Sequence, residues 1–151
     1  MSTRYLTKSR FKQALSCPTK LYYSGKPAYA NANDDNDFMA MLADDGFQVG
    51  ELAKQMYPGG IEIKTKNSTD ALAQTAHCMA QDKVVLFEPA IAHGSLLVRV
   101  DVLVKRGNVL EVIEVKAKSY SGDPSSLSLS GTRNAISAHI LPYVQDVAFQ
   151  K

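Results

Sequence analysis

The feature that most constrains the fold is a predicted β-hairpin with the sequence RVDVLVKRGNVLEVIEVKAK. Residues 98–105 and 109–116 alternate in polarity and are rich in valine, which is typical of β-strands. Between them, Gly107 and Asn108 suit a two-residue turn whose backbone needs positive φ. The sequence therefore predicts two antiparallel strands joined by a tight turn.

The turn also sets the register of this hairpin. If Gly107 and Asn108 form the loop, Arg106 pairs with Val109, and stepping outward places Asp101 opposite Glu114. Side chains directly opposite each other lie on the same face of a sheet. Two carboxylates about 5 Å apart at an effective dielectric of about 20 repel by roughly 3 kcal/mol. The hairpin thus predicts an acid pair that needs compensating positive charge.

Two sources of that compensation follow from the residues. A divalent cation between Asp101 and Glu114 would turn repulsion into attraction, and hard oxygen ligands are those that magnesium and manganese prefer. Alternatively, the face is simply solvated, with Arg99 and Lys116 neutralising the two acids. The hairpin alone leaves both interpretations open.

The composition of the chain narrows its class. Its 151 residues suffice for one domain with a hydrophobic core, and 45% hydrophobic with 21% charged residues is typical of a globular protein. A net charge of +2 is weak evidence for a polyanionic partner. No apolar run is long enough to span a membrane, and two cysteines make no disulfide framework, so a cytoplasmic protein without a membrane partner is expected.

The order of predicted elements indicates an α/β fold. Helices are predicted at TKSRFKQALSC and over residues 37–57, where Gly46 could break the second one. A short strand, IEIK, precedes a helix capped at Ser68 or Thr69, and the strand VVLFEPAI ends at Glu88-Pro89. After the hairpin come a polar loop and a last helical segment, residues 133–151, interrupted at Pro142. Consecutive strands flanked by helices indicate either an α+β arrangement or a mixed α/β sheet.

Several motifs resemble the PD-(D/E)xK nuclease superfamily. Asp101 followed by Glu114-Val115-Lys116 on the hairpin partner resembles its acid and ExK motif. The segments LTKSRFKQALSCPTKLYY, VGELAKQMYPGG, LFEPAI and YVQDVAFQ resemble its RecB-type branch, which includes the CRISPR adaptation exonucleases, and an uncharacterised bacterial family with the same layout. The resemblance runs from Leu6 to Gln150. It implies a restriction-endonuclease-like core, in which a mixed sheet is flanked by helices.

The resemblance also implies roles for the hairpin residues. Asp101 and Glu114 would bind Mg²⁺ or Mn²⁺, with the Val115 carbonyl as a further ligand. Lys116 would orient or help deprotonate the attacking water and offset phosphate charge. Phosphodiester hydrolysis needs a nucleophile at neutral pH and compensation for developing negative charge, and a divalent ion supplies both.

Four further residues match positions of the family pattern. Glu51 matches an acidic position on the first long helix and a metal ligand, and Glu88 matches a catalytic acid on the first strand. Gln150 resembles the glutamine of a Gln-x-x-x-Tyr motif that holds DNA near the metal. Cys17, before a proline, resembles one ligand of the iron–sulfur cluster of some relatives, whose three C-terminal cysteines have no counterpart here.

Two functions are expected from this resemblance. The first is a metal-dependent deoxyribonuclease formed by residues 1–151 as a single domain, an N-terminal fragment of a longer protein that is incomplete at its C-terminus. An iron–sulfur cluster would then belong only to the longer parent. The second is a catalytically inactive nuclease-fold module that binds DNA or a protein partner.

Overall fold

The computed structural model describes residues 5–29, 37–118, 138 and 140–151, without the side chains of residues 37–39 and 42. The chain forms two compact units, Met1–Lys116 and Ala117–Lys151. The described part is a mixed α/β structure with two mixed sheets, which confirms the predicted fold class at this level.

Four helices belong to the first unit, counted over its described residues: α1 (Lys8–Ser16), α2 (Pro18–Tyr23), α3 (Asp37–Gln55) and α4 (Ser68–Met79). The helix predicted first in the sequence is confirmed as α1, capped by the Thr7 side chain. The break near Gly46 does not occur, because α3 is continuous. The predicted cap of α4 is wrong by one residue: the Asn67 side chain accepts from the backbone N–H groups of Thr69 and Asp70.

The strands are β1 (Leu6–Thr7), β2 (Ile61–Glu62), β3 (Lys83–Phe87), β4 (Ala90–His93), β5 (Leu96–Arg99), β6 (Val102–Arg106) and β7 (Val109–Ile113). They form one sheet in the order β1-β5-β4 and another in the order β2-β3-β6-β7. In the second sheet, β2 is parallel to β3, whereas β3, β6 and β7 are successively antiparallel.

The predicted hairpin is confirmed in its turn and its register. Gly107 has a φ of 59°, a left-handed conformation that glycine adopts without a Cβ clash, and Arg106 pairs with Val109. Val102 pairs with Ile113 at the far end of the ladder. Strand β7 stops there, three residues earlier than predicted, so Asp101 and Glu114 lie just beyond the last pair.

The predicted first strand of the hairpin, residues 98–105, is divided between the two sheets. The backbone leaves the ladder at Val100 and Asp101, and β5 pairs with β4 while β6 pairs with β3. Phe87 lies opposite Val102 and Ala90 opposite Arg99, so one register continues across the break. Two backbone hydrogen bonds bridge the break, from Glu88 N to Asp101 O at 3.2 Å and from Val100 N to Pro89 O at 3.1 Å.

The result is one long ribbon of two strands, bent once in the middle. The end predicted for β3 at Glu88-Pro89 is confirmed, but the continuation of the chain as β4 and its turn at Gly94 were not predicted. Proline 89 explains the interruption, because it lacks the N–H that a continuous ladder needs. The bend places Glu88 and Asp101 on adjacent strands at the same level.

Close packing fixes β2 beside β3. After α3, a turn donates the Gly60 N–H to the Tyr57 carbonyl at 3.1 Å. A Cβ at Gly60 would lie 2.4 Å from the Phe87 ring, so any other residue would displace either that ring or the Gly60 backbone. Phe87 packs in a core cluster with Val102 and Val104. The turn therefore brings Glu62 of β2 to the end of β3.

The second unit contains helix α5 (Leu141–Gln150). Pro142 lies in its first turn, where a missing N–H costs nothing, so the predicted interruption is in fact the start of the helix. The polar loop after the hairpin and most of residues 133–139 lie outside the described residues. Among the helices that the structure describes, none has the length and apolar character needed to cross a bilayer.

Candidate active site

Four carboxylates lie at one end of the four-stranded sheet. Given the strand directions, the C-terminal ends of β2, β3 and β7 and the N-terminal end of β6 share the same edge. Glu62 belongs to β2, Glu88 follows β3, Asp101 precedes β6 and Glu114 follows β7. Each of the four strands thus brings one acid to this edge, which we call the acidic edge.

The backbone at Glu88 is in an unfavourable conformation. Its φ of 55° makes it the one non-glycine residue with positive φ among those that the structure describes. A left-handed conformation costs a residue with a Cβ about 1 kcal/mol or more. No hydrogen bond of the side chain compensates this strain, since the Glu88 carboxylate makes none with the described residues. Strain of this kind at a non-glycine residue is typical of functional positions.

Asp101 is held by the backbone of the neighbouring strand. Its Oδ2 accepts a hydrogen bond of 2.6 Å from the Val115 N–H. Its pKa is nevertheless raised, first because burial disfavours the charged form and further because the Glu114 carboxylate repels it. The Val115 hydrogen bond and the charges of Lys8 and Lys116 oppose that increase only in part. Asp101 is therefore an acid whose negative charge is under-compensated.

Glu88 has the same character. Burial raises the pKa of this carboxyl, and the nearby charge of Asp101 raises it further. Arg99, Lys54 and Lys8 act in the opposite direction through their charges, without an ion pair to Glu88 among the described contacts. Glu88 and Asp101 would therefore both gain from a cation placed near them.

Glu114 is compensated by two lysines. The Lys8 Nζ donates to both of its carboxylate oxygens, at 2.7 and 3.0 Å, and Lys116 donates to Oε1. The Glu114 side chain is only 6% exposed, against 22% for Lys8 and 36% for Lys116. Lys8 begins helix α1 and is separated from Glu114 by 106 residues. This contact could not be predicted from the sequence, because nothing in a helix-initial lysine indicates a distant carboxylate.

Helix α3 forms the opposite wall of a cleft at the acidic edge. The cleft has a volume of about 340 Å³, and its lining residues are Gly46, Phe47, Gly50, Glu51, Lys54, Glu62, Glu88, Asp101, Val102 and Val115. Lys54 donates to Glu51 at 2.6 Å and to Glu62 at 2.5 Å. The hydrogen bond from Lys54 lowers the pKa of Glu62. The fold therefore brings the predicted residues Glu51, Glu88, Asp101 and Val115 to one cleft.

The acids of this edge fit a divalent cation in part. Within the described ranges, no three His, Cys, Asp or Glu side chains converge into a ready-made metal-binding group. The reason is visible in the contacts, because Lys54 holds Glu51 while Lys8 and Lys116 hold Glu114. Glu88 and Asp101 do fit, being oxygen donors whose charge is under-compensated. A complete ligand set would require Glu114 or Glu51 to exchange its lysine for the ion.

The alternative interpretation, in which Arg99 and Lys116 neutralise the acid pair, is correct for Lys116 and wrong for Arg99. Lys116 pairs with Glu114, as that interpretation expects. Arg99 does not pair with an acid, because its guanidinium donates to the backbone carbonyls of Ile63 and Thr65 at 2.9 to 3.0 Å. It thereby fixes the segment after β2 against β5.

Two further predicted residues, Gln150 and Cys17, are not among those that line this cleft. Gln150 belongs to α5 in the second unit, where its Nε2 donates to the Asp146 carbonyl at 3.1 Å. Cys17 separates α1 from α2 and is exposed. The sequence contains one other cysteine, Cys78 in α4, so this chain cannot supply four thiolates to an iron–sulfur cluster.

Cys17 is expected to react faster with iodoacetamide than Cys78. Backbone N–H groups of Lys20 and Thr19 lower the pKa of the Cys17 thiol, so more of it is thiolate at neutral pH, and it is exposed whereas Cys78 is partly buried. Mass spectrometry of the two peptides during alkylation measures both rates. Equal rates, or faster labelling of Cys78, would contradict this expectation.

No protein-family model, curated protein or solved structure matches this chain. The fold and the site define a mixed α/β protein with a carboxylate- and lysine-lined cleft at the end of a sheet.

Proposed function

We propose that this chain is the catalytic domain of a metal-dependent DNA nuclease that hydrolyses phosphodiester bonds. The observation that carries the proposal is the alignment of Glu88, Asp101 and Glu114 at the same end of three adjacent strands, with Lys116 beside them. Carboxylates in a row, next to a lysine, suit the binding of a divalent ion and a phosphate together.

Asp101 and Glu88 would hold the ion, and Glu114 would join them on exchanging its lysines for it. A bound Mg²⁺ or Mn²⁺ supplies activation of water at neutral pH and compensation of charge on the phosphate. Glu51 lies on the opposite wall of the same cleft, where release from Lys54 would make it a further oxygen donor. The Val115 N–H keeps the Asp101 carboxylate oriented in either state.

Once Glu114 binds the ion, its two lysines become available to water and phosphate. Lys116 carries an ammonium group that can orient a water molecule and hold a negatively charged phosphate oxygen. Lys8 approaches the same carboxylate from α1 and brings a second positive charge to the place where phosphate would bind. In the metal-free protein both lysines neutralise Glu114, which keeps the acidic edge folded without an ion.

Linear DNA incubated with the protein and manganese is expected to be cleaved, and chelator is expected to stop the cleavage. The same ion should raise the melting temperature of protein first stripped with chelator, because it binds the acidic edge in the folded state only. Gel electrophoresis of the DNA and thermal melts with and without millimolar manganese measure the two effects. A melt that manganese leaves unchanged would contradict the metal site, and a raised melt without cleavage would contradict catalysis.

A second candidate function is a nuclease-fold module that binds DNA or a protein partner without cutting. The observation that favours it is the pair of lysines on Glu114, since an acid neutralised by the chain itself has no need of an ion. The two candidates differ in one result: the module should bind DNA equally well in manganese and in chelator and leave it intact.

A further inference from the structure

The N-terminal described segment has an unusual charge. Residues 5–29 contain five basic side chains and no acidic one; the five are Lys8, Arg10, Lys12, Lys20 and Lys26. All 15 acidic residues of the chain and only 12 of its 17 basic residues lie elsewhere, so the rest of the chain carries a net charge of −3. The overall charge of +2 thus conceals a strongly basic segment, α1–α2 with the turn that follows.

Three tyrosines are clustered at the end of this segment. The Tyr22 and Tyr23 rings meet edge to face with centroids 5.0 Å apart, and the Tyr29 ring lies 4.5 Å from that of Tyr23. The Lys26 ammonium lies 3.3 Å from the centroid of the Tyr22 ring. We call these four residues the tyrosine cluster.

The rings of the tyrosine cluster are exposed, whereas aromatic side chains are usually largely buried. Tyr22, Tyr23 and Tyr29 are 63%, 38% and 56% exposed. Their mutual contacts hold the rings in place, so binding a flat ligand would cost little additional ordering. No described acidic side chain interrupts the basic segment around them. An exposed set of ordered rings with a cation beside it is the combination that stacks unpaired bases and attracts a phosphate backbone.

We propose that the tyrosine cluster is a binding site for single-stranded nucleic acid, separate from the carboxylate cleft. The bases stack on the exposed rings of Tyr22 and Tyr29, and Lys26 and Lys20 neutralise the adjacent phosphates. Because stacking needs no ion, this site binds in the presence of chelator. The inference goes beyond the proposed nuclease activity and stands whether or not the chain cleaves DNA.

The decisive experiment compares two labelled strands of equal length and charge, oligothymidylate and an abasic strand that lacks bases. Fluorescence anisotropy in chelator is expected to show at least about fivefold tighter binding of oligothymidylate, because each stacked base contributes binding that the phosphates do not. Oligouridylate in a parallel arm shows whether RNA or DNA is the preferred source of unpaired bases. Equal affinity for the thymidylate and abasic strands would overturn the proposal. This comparison uses the unsubstituted protein and requires no variant.

Variants locate the site. Tyr22→Ala and Tyr29→Ala should each weaken oligothymidylate binding about fivefold and leave abasic binding unchanged, whereas Tyr22→Phe, which keeps the ring, should bind normally. Lys26→Gln should weaken binding to both strands and reduce its salt dependence. Lys83→Gln, exposed at the opposite end of β3 from the acidic edge, is the charge control. Undiminished preference for bases in both alanine variants would refute the cluster as the site.

Discussion

Asp101→Ala is expected to reduce manganese-dependent DNA cleavage about a thousandfold or more. Metal-ion catalysis contributes several kcal/mol to the transition state, and about 4 kcal/mol corresponds to three orders of magnitude in rate. Asp101 is the acid that the Val115 N–H orients, and its charge is under-compensated, so its loss should remove the ion as well. Cleavage rates and manganese titrations of the variant measure both effects.

Lys116→Ala should separate those two effects. Its ammonium contacts Glu114 and is not an oxygen donor, so manganese should still bind while cleavage falls about a hundredfold. Lys83→Ala, at the opposite end of the sheet, is the matched control and should cut normally. A Lys116→Ala protein that cuts at the full rate would show that the lysine only neutralises Glu114.

Neutralising two neighbouring acids is expected to have opposite effects on the stability of the metal-free protein. Glu114→Gln should lower the free energy of unfolding by about 2 kcal/mol, because it leaves the Lys8 and Lys116 ammonium groups around a nearly buried neutral amide. Asp101→Asn should raise it, because the amide keeps an acceptor for the Val115 N–H and removes a charge that burial and repulsion disfavour.

The pH dependence of stability has a sign that follows from the same groups. The folded-state pKa of Asp101 and of Glu88 is raised, so each holds its proton more tightly in the folded than in the unfolded chain. The stability that these two protonated carboxyl groups contribute is fully present below the ordinary pKa of a carboxyl group. It is lost as the pH rises through the raised, folded-state pKa. Between those two values, Asp101→Asn should flatten the decline of stability with rising pH.

Urea unfolding of the unsubstituted protein and of the Glu114→Gln and Asp101→Asn variants measures these differences in the free energy of unfolding. The measurements are made in chelator, at acidic and at neutral pH. At the melting midpoint, the Glu114→Gln effect corresponds to a decrease of roughly 4 to 8 °C. Lys105→Gln is unsuitable as a control, because Lys105 donates to the Met79 and Gln81 carbonyls, whereas Lys83 is exposed. A destabilised Asp101→Asn protein would mean that its charge is already compensated in the fold, which would weaken the case for an ion there.

The sequence was most informative where local chemistry determines structure. The Gly107-Asn108 turn and the valine alternation were enough to predict the hairpin register, because pairing in a two-residue hairpin leaves no freedom once the turn is set. The Glu88-Pro89 pair likewise predicted the end of β3, since proline cannot continue a ladder. These features place Asp101 and Glu114 at the ends of paired strands and Glu88 at the end of another strand.

The residues that complete the site could not be predicted in the same way. Lys8 and Glu62 come from segments whose position depends on tertiary packing, such as the close approach of Gly60 to the Phe87 ring. The division of residues 98–105 between two sheets was missed because a continuous run of valines looks the same in a straight strand and in a bent one. The tyrosine cluster was missed because net charge averages a basic segment with an acidic remainder.

The bent ribbon also bears on the order in which this protein assembles. Within residues 83–113, the strands β3 to β7 pair with one another through two tight turns, and short loops close at little entropic cost. The contact of Lys8 with Glu114 closes a loop of more than a hundred residues, the kind of contact that slows folding. The acids of the site are thus aligned by the part of the chain that can form early, and the lysine that neutralises the last of them arrives late. We therefore expect the negative charge of the acidic edge to be greatest during folding, before the Lys8 contact forms.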